Sequence, residues 1–291
     1  MAETPGGTPA GTFTGIPVGE RADPPPGRAR IYRRILASRL HGQLAYRTSF
    51  ALNVAAQLFA QCTELLVILV IFTQVGSLGG FSRAEVLLIY GLAATAFALA
   101  DLIVSQIEIL PDYIRTGEFD VLLLRPLGPL AQVLTSDIAL KRLGRLAGGT
   151  IVLGWSLVSL DLDWTPPRVW LALSAPPVGA VILGSIYVAA NAVSFWLVDG
   201  GELANSVTYG SNFATSYPIT IYGPWLRRVM CYAVPGAFVA YFPALALLGR
   251  PDPLGLPGAL RYASPVVAAL AVAAAAVVWR AGIRHYQGTG S

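Results

Sequence analysis

The sequence predicts an all-α polytopic membrane protein of about six transmembrane helices. Two observations carry this. Of its 291 residues, 55% are hydrophobic and only 12% charged, where an ordinary soluble domain carries about 25% charged residues. Several windows of about 20 largely apolar residues follow one another, each long enough to cross the hydrocarbon core and too many to be one buried core helix.

Taken in order, Met1 to Gly27 is rich in Gly, Pro and Thr. It has no apolar h-region, so no cleavable signal is expected, and residues 1–27 read as a disordered cytoplasmic tail. Residues 28–47 read as an amphipathic interfacial helix. Ile31, Tyr32, Ile35, Leu36 and Leu40 face lipid and Arg30, Arg33 and Arg34 face headgroups, with Arg39 interrupting the stripe. A transmembrane domain is expected over 48–286, with 287–291 as a short cytoplasmic tail.

The first crossing is expected from about Ser49 to Val75, stopped by Gly76-Ser77-Leu78-Gly79-Gly80, and the second from Val86 to Ile109. A polar stretch from Pro111 to Lys141 is cut into short pieces by Pro111, Gly117, Pro126 and Pro129. The third crossing, Leu143 to Leu160, opens with Gly144 and Gly148, the small-xxx-small spacing that lets helix backbones approach in lipid. The fourth covers Val169 to Val198, with a kink or a shifted start expected at Pro176-Pro177.

For the fifth crossing the residues leave two alternatives. Hydropathy favours Val229 to Leu248. Leu203 to Tyr222 crosses instead if its Ser, Thr, Asn and Tyr residues face protein, and Trp225 to Leu248, broken by Pro235 and Pro243, is then a re-entrant element. The last crossing is the alanine-rich Ser264 to Ile283. With the N-terminus in the cytoplasm, every basic residue except Arg83, Arg168, Arg250 and Arg261 falls on that side; the second alternative adds Arg227 and Arg228 to the outer set. Both termini and the Pro111 to Lys141 loop are therefore expected in the cytoplasm.

The net charge of +4 does not point to nucleic acid, because the basic residues sit at helix ends rather than in one aromatic-laced patch. Cys62 and Cys231 lie in apolar stretches with no disulfide or metal spacing. With only His41 and His285, and no H-E-x-x-H or G-x-S-x-G run, a membrane enzyme has nothing to build a site from.

Polar residues inside the spans are the informative ones, since an acidic side chain at the bilayer centre costs roughly 2.5–3.5 kcal/mol on insertion scales. In the first helix Asn53, Gln57, Gln61 and Glu64 fall within one face about 80° wide at roughly 100° per residue. Asp101, Ser105 and Glu108 make a shorter stripe on the second. The first stripe and Asp101 are expected to line a translocation path or a subunit interface; the alternative is hydrogen-bonded glue between helices of one subunit. In the loop, charged and bulky apolar residues alternate from Tyr113 to Leu127, which suits docking, although its Gly and Pro residues also simply turn the chain.

The loop run Ile-Arg-Thr-Gly-Glu-Phe-Asp followed by Leu-Leu-Arg-Pro-Leu, from Ile114 to Leu127, resembles that of bacterial ABC permeases of the type-2 exporter class. So do Tyr217-Pro218-Ile219-Thr220-Ile221-Tyr222, then Trp225-Leu226-Arg227 with Pro235 and Pro243, and the terminal Tyr286 to Ser291. The resemblance covers about Tyr46 to the end. It implies two six-helix permease subunits, identical or related, over an ATPase dimer in the bacterial plasma membrane. The loop then acts as a coupling helix through Tyr113, Ile114, Arg115, Thr116, Gly117, Glu118, Phe119, Asp120, Arg125 and Pro126. No cofactor is expected on this chain. ATP and Mg belong on the partner, since the only lysine, Lys141, is preceded by no phosphate-binding G-x-x-x-x-G-K-[ST] run. The main rival expectation is a self-contained secondary transporter or channel, which would call for an internal repeat that the two halves do not display.

Overall fold

The computed structural model describes residues 47–136, 142–197 and 200–286. The expected tails at 1–27 and 287–291, and the interfacial helix up to its last residue, Arg47, lie outside them. Within the described residues the chain is all-α; its nearest approach to β structure is one isolated bridge between Leu78 and Phe81. Four helices are long and apolar enough to cross a membrane: α1 (Arg47–Gln74), α2 (Arg83–Val104), α7 (Pro166–Ala192) and α11 (Ser264–His285).

α1 forms as one rod because no Gly or Pro interrupts it. It ends in a two-residue turn in which Gly79 (φ 59°) and Gly80 (φ 87°) both adopt positive φ, the requirement of the tight hairpin turns. Leu78 and Phe81 close the turn with reciprocal backbone hydrogen bonds of 2.9 and 3.1 Å. The Ser82 N–H then donates to Glu85 Oε2 at 2.8 Å, capping the start of α2.

α2 is the centre of the molecule. Leu87 to Phe97 are buried on every side of the helix, which is the mark of a core helix rather than an amphipathic one. α6 (Leu143–Ser159) packs between α1 and α2. A methyl group added at Gly144 would lie 2.6 Å from the Val54 carbonyl oxygen, and one at Gly148 would lie 2.9 Å from Gln61 Cγ. The Gly144/Gly148 pair thus serves the close approach that its spacing predicted.

Pro176-Pro177 neither ends nor delays α7, which begins at Pro166 and runs through both prolines as one helix. Its start moves because Thr165, extended at ψ 154°, precedes Pro166 and Pro167 at the first helical positions, where the absent N–H groups cost nothing.

α8 (Gly200–Thr215) settles the geometry of the fifth segment. At its start a methyl group on Gly201 would lie 3.1 Å from Pro111 Cγ. Just past its end, Thr220 Oγ1 donates to the Gly79 carbonyl at 2.8 Å. The stretch therefore runs from the loop end of the bundle, where residues 110–134 lie, to the turn end marked by Gly79. The more apolar Val229 to Leu248 is not a straight crossing. Pro224–Ala233 and Gly236–Leu248 meet at 73°, broken at Pro235. Both ends of this segment stay at the turn end: Arg227 Nη2 donates to the Thr220 carbonyl at 2.6 Å, and Arg250 Nη2 to the Gly80 carbonyl at 3.2 Å. It enters and returns on one side. Within it lie the short helices α9 (Pro224–Arg228) and α10 (Tyr241–Leu248).

The outer faces of α1 and α11 are apolar and bare, with Leu52, Phe59, Val70, Val266, Leu270 and Val277 each exposed. Such surface suits acyl chains rather than water. The protein is membrane-embedded.

Candidate functional site

The polar stripe of α1 is divided by the fold. Gln61 is buried, donating through Nε2 to the Tyr90 hydroxyl on α2. Tyr90 in turn donates to Glu64 Oε2 at 3.1 Å. Tyr217, beyond α8, lies close enough to interact electrostatically with both Tyr90 and Glu64. Gln57 is half-buried against Gly144. Asn53 is exposed and bonds only within its own helix, donating to the Ser49 carbonyl at 2.8 Å. The structure thus joins Gln61 and Glu64 through a tyrosine, leaves Glu64 exposed, and does not bring Asn53 to either.

Asp101 lies in a separate cluster. Its side chain is 3% exposed and pairs with Arg142, while Arg145 Nη1 lies 3.6 Å from its second oxygen. Arg142 also reaches Glu108 at 3.5 Å, and the Tyr209 hydroxyl donates to Glu108 Oε1 at 3.2 Å. Arg145 stacks over Phe97 at 5.1 Å, whose ring meets Tyr187 at 5.9 Å. Two carboxylates and two guanidinium groups, net neutral, bind α2 and its 3₁₀ extension (Ser105–Ile109) to the start of α6 and to α8. Residues 142 and 145 read as topology signals in the sequence. Their three-residue spacing, which puts both on one helix face, was the available hint of a shared partner.

At the loop end, three short helices follow: α3 (Leu110–Thr116), α4 (Glu118–Leu123) and α5 (Pro129–Leu134). Gly117, at φ 76°, makes the sharp joint between α3 and α4, its N–H donating to the Ile114 carbonyl at 3.3 Å. Gln132 Nε2 donates to the Leu122 and Leu127 carbonyls, both at 2.9 Å, closing the loop on α5.

The segment has two faces. Inward, Phe119 is fully buried and edges onto Phe195 (5.2 Å), Tyr286 (5.1 Å) and Trp279 (6.5 Å), an aromatic clasp that ties α4 to the ends of α7 and α11. Phe195 lies so close to α11 that a methyl group at Gly282 would meet its ring at 2.3 Å. Tyr113 and Ile114 are half-buried against the core. Outward, Arg115, Thr116, Glu118, Arg125 and Pro126 are exposed, with Asp120 and Gly117 half-buried. Val121, Leu123 and Leu124 join them on this face, Leu124 being 87% exposed. Phe119 is therefore an anchor beneath the docking face rather than part of it. The sequence places the bulky apolar residues of 113–127 in a docking segment without showing which of them face outward, and it does not pair Phe119 with rings more than 70 residues away.

Among the described residues no group of His, Cys, Asp and Glu is arranged to hold a metal. A family model described as an ABC-2 family transporter protein matches residues 58–290. No curated protein and no solved structure matches the chain.

Proposed function

Because this chain belongs to the ABC-2 transporter family, and so is a membrane permease component of an ABC transporter, we propose that it couples to a separate ATPase dimer through the 113–126 segment and works as an exporter. In this reading a second permease, identical or related, completes the path, and the loop end faces the cytoplasm of a bacterial inner membrane. The observation that carries the proposal is the two-faced loop segment. Its outer face offers aliphatic groups ringed by charges, the composition of a protein docking surface. Its inner face is bolted by Phe119 to two long helices.

ATP-driven closure of the ATPase pair would push α3 and α4. The aromatic clasp passes that push to α7 and α11, because close-packed rings transmit displacement rather than absorb it. The two permease halves then rock, and a cavity between them exchanges inward for outward access. ATP and Mg are held on the partner.

Charge reversal at Glu118 and Asp120 together with Gly117→Pro is expected to abolish co-purification with the ATPase, since proline cannot adopt a positive φ. Retained ATPase binding with stimulated ATP turnover would refute the coupling role. Identification of every chain that co-purifies from the native membrane decides whether the second permease is identical.

A further inference from the structure

We propose, resting on the permease reading above, that Glu64 with Tyr90 and Tyr217 forms a binding site for an amphiphilic monovalent cation, the class of cargo carried. Glu64 lies ten residues from Gln74, about 15 Å along the helix, and so deep within a hydrocarbon layer about 30 Å thick. A carboxyl group at that depth faces protein, water or an opposite charge.

Asp101 shows how this protein neutralises such a group, with two arginines. Glu64 has no such partner: among the described residues no arginine pairs with it, and its hydrogen bond comes from Tyr90. It is also exposed on the surface of the described bundle, so a positive charge that answers it comes from outside the described residues.

The surroundings select the chemistry. Tyr90 holds the carboxylate through its hydroxyl from the buried side, while Tyr217, half-buried and within electrostatic reach of Glu64, carries the exposed Phe213 against its ring at 5.4 Å. Rings beside a carboxylate attract a desolvated cation. One turn away on the same face, Ala60 and Val67 are exposed and apolar, offering cover for a hydrophobic body. A single carboxylate is too few oxygen ligands for a divalent metal ion. Among the described residues no cationic group lies at the site to hold an anion.

The test uses the full-length chain in lipid nanodiscs with tetraphenylphosphonium as probe and tetraphenylborate, an anion of nearly the same shape, as control. Saturable binding of the cation and none of the anion is expected. Glu64→Gln should weaken cation binding about tenfold or more, as for loss of one charge-assisted contact. Glu64→Asp, which keeps the charge, should retain most of it, and Tyr217→Ala should weaken it less than Glu64→Gln. Equal affinity in wild type and Glu64→Gln, equal binding of the anion, or loss of binding in Glu64→Asp as complete as in Glu64→Gln overturns the proposal. So does dissociation of subunits in Glu64→Gln, which would make Glu64 an interface residue. ATPase co-purification is read on the same preparations. A chain that binds the ATPase but no cation sinks this inference alone, and one that binds the cation but no ATPase sinks the exporter reading alone.

Discussion

Asp101 and Glu64 are both carboxylates inside apolar helices, and the protein treats them in opposite ways. Around Asp101 every charge is answered: Arg142 and Arg145 neutralise it, Glu108 balances Arg142, and Tyr209 bonds Glu108. Around Glu64 a single tyrosine hydroxyl donates and the remaining face is open. The first region joins α2, α6 and α8 at the loop end. The second lies on α1, the most exposed of the long helices. One carboxylate is thus buried and fully paired inside the subunit, and the other is held on one side only and left exposed.

The sharpest way to break this contrast is Arg142→Ala. Removing one partner leaves Asp101 and Glu108 under-neutralised in a buried site, and breaking a buried pair in this way costs about 3–5 kcal/mol. Thermal unfolding in detergent should show it as a large loss of stability; a loss below about 1 kcal/mol would mean the cluster is not closed. Phe119→Ala is expected to cost a similar amount, about 3–5 kcal/mol for a buried ring. It should also leave ATPase binding in place while reducing transport-linked ATP turnover, because the docking face survives and its anchor does not.

Smaller effects sharpen the picture. Gly282→Ala forces Phe195 off α11, an overpacking cost of about 1–3 kcal/mol, readable in the same melting experiment. On the open side, Glu64→Gln should change stability by no more than about 0.5 kcal/mol, since it alters an exposed group without a charged partner. A destabilisation of several kcal/mol there would show that Glu64 is structural after all. Smallest of all, Arg115→Ala, which removes an exposed pair with Asp112 at 2.8 Å, should shift stability by less than about 1 kcal/mol.

Much of the fold was legible in the residues. Apolar length alone located α1, α2, α6, α7 and α11 to within a few positions, the Gly76 to Gly80 run marked the turn, and the Gly144/Gly148 spacing found a real helix contact. The candidate site was legible only in part. The α1 stripe marked Gln61 and Glu64 as exceptional because charge and polarity in lipid are costly wherever they occur. It could not separate them from Asn53, which makes only a local bond. The loop sequence signalled a turn-rich docking segment but not which of its side chains point in.

What the sequence determined by itself was the solvent: too little charge and too many long apolar runs for water, with breaks wherever Gly and Pro deny a helix its geometry or its hydrogen bonds. Tertiary structure alone decided the rest. Hydropathy sums apolar character and is blind to direction, so it favoured Val229 to Leu248, whereas contacts of Thr220, Arg227 and Arg250 with the Gly79-Gly80 turn and its neighbours show that segment returning to its own side. Partnership likewise belongs to space rather than to spacing. Asp101 meets arginines some 40 residues away and Phe119 meets rings beyond 70, because packing, not the chain, brings opposite charges and flat faces together.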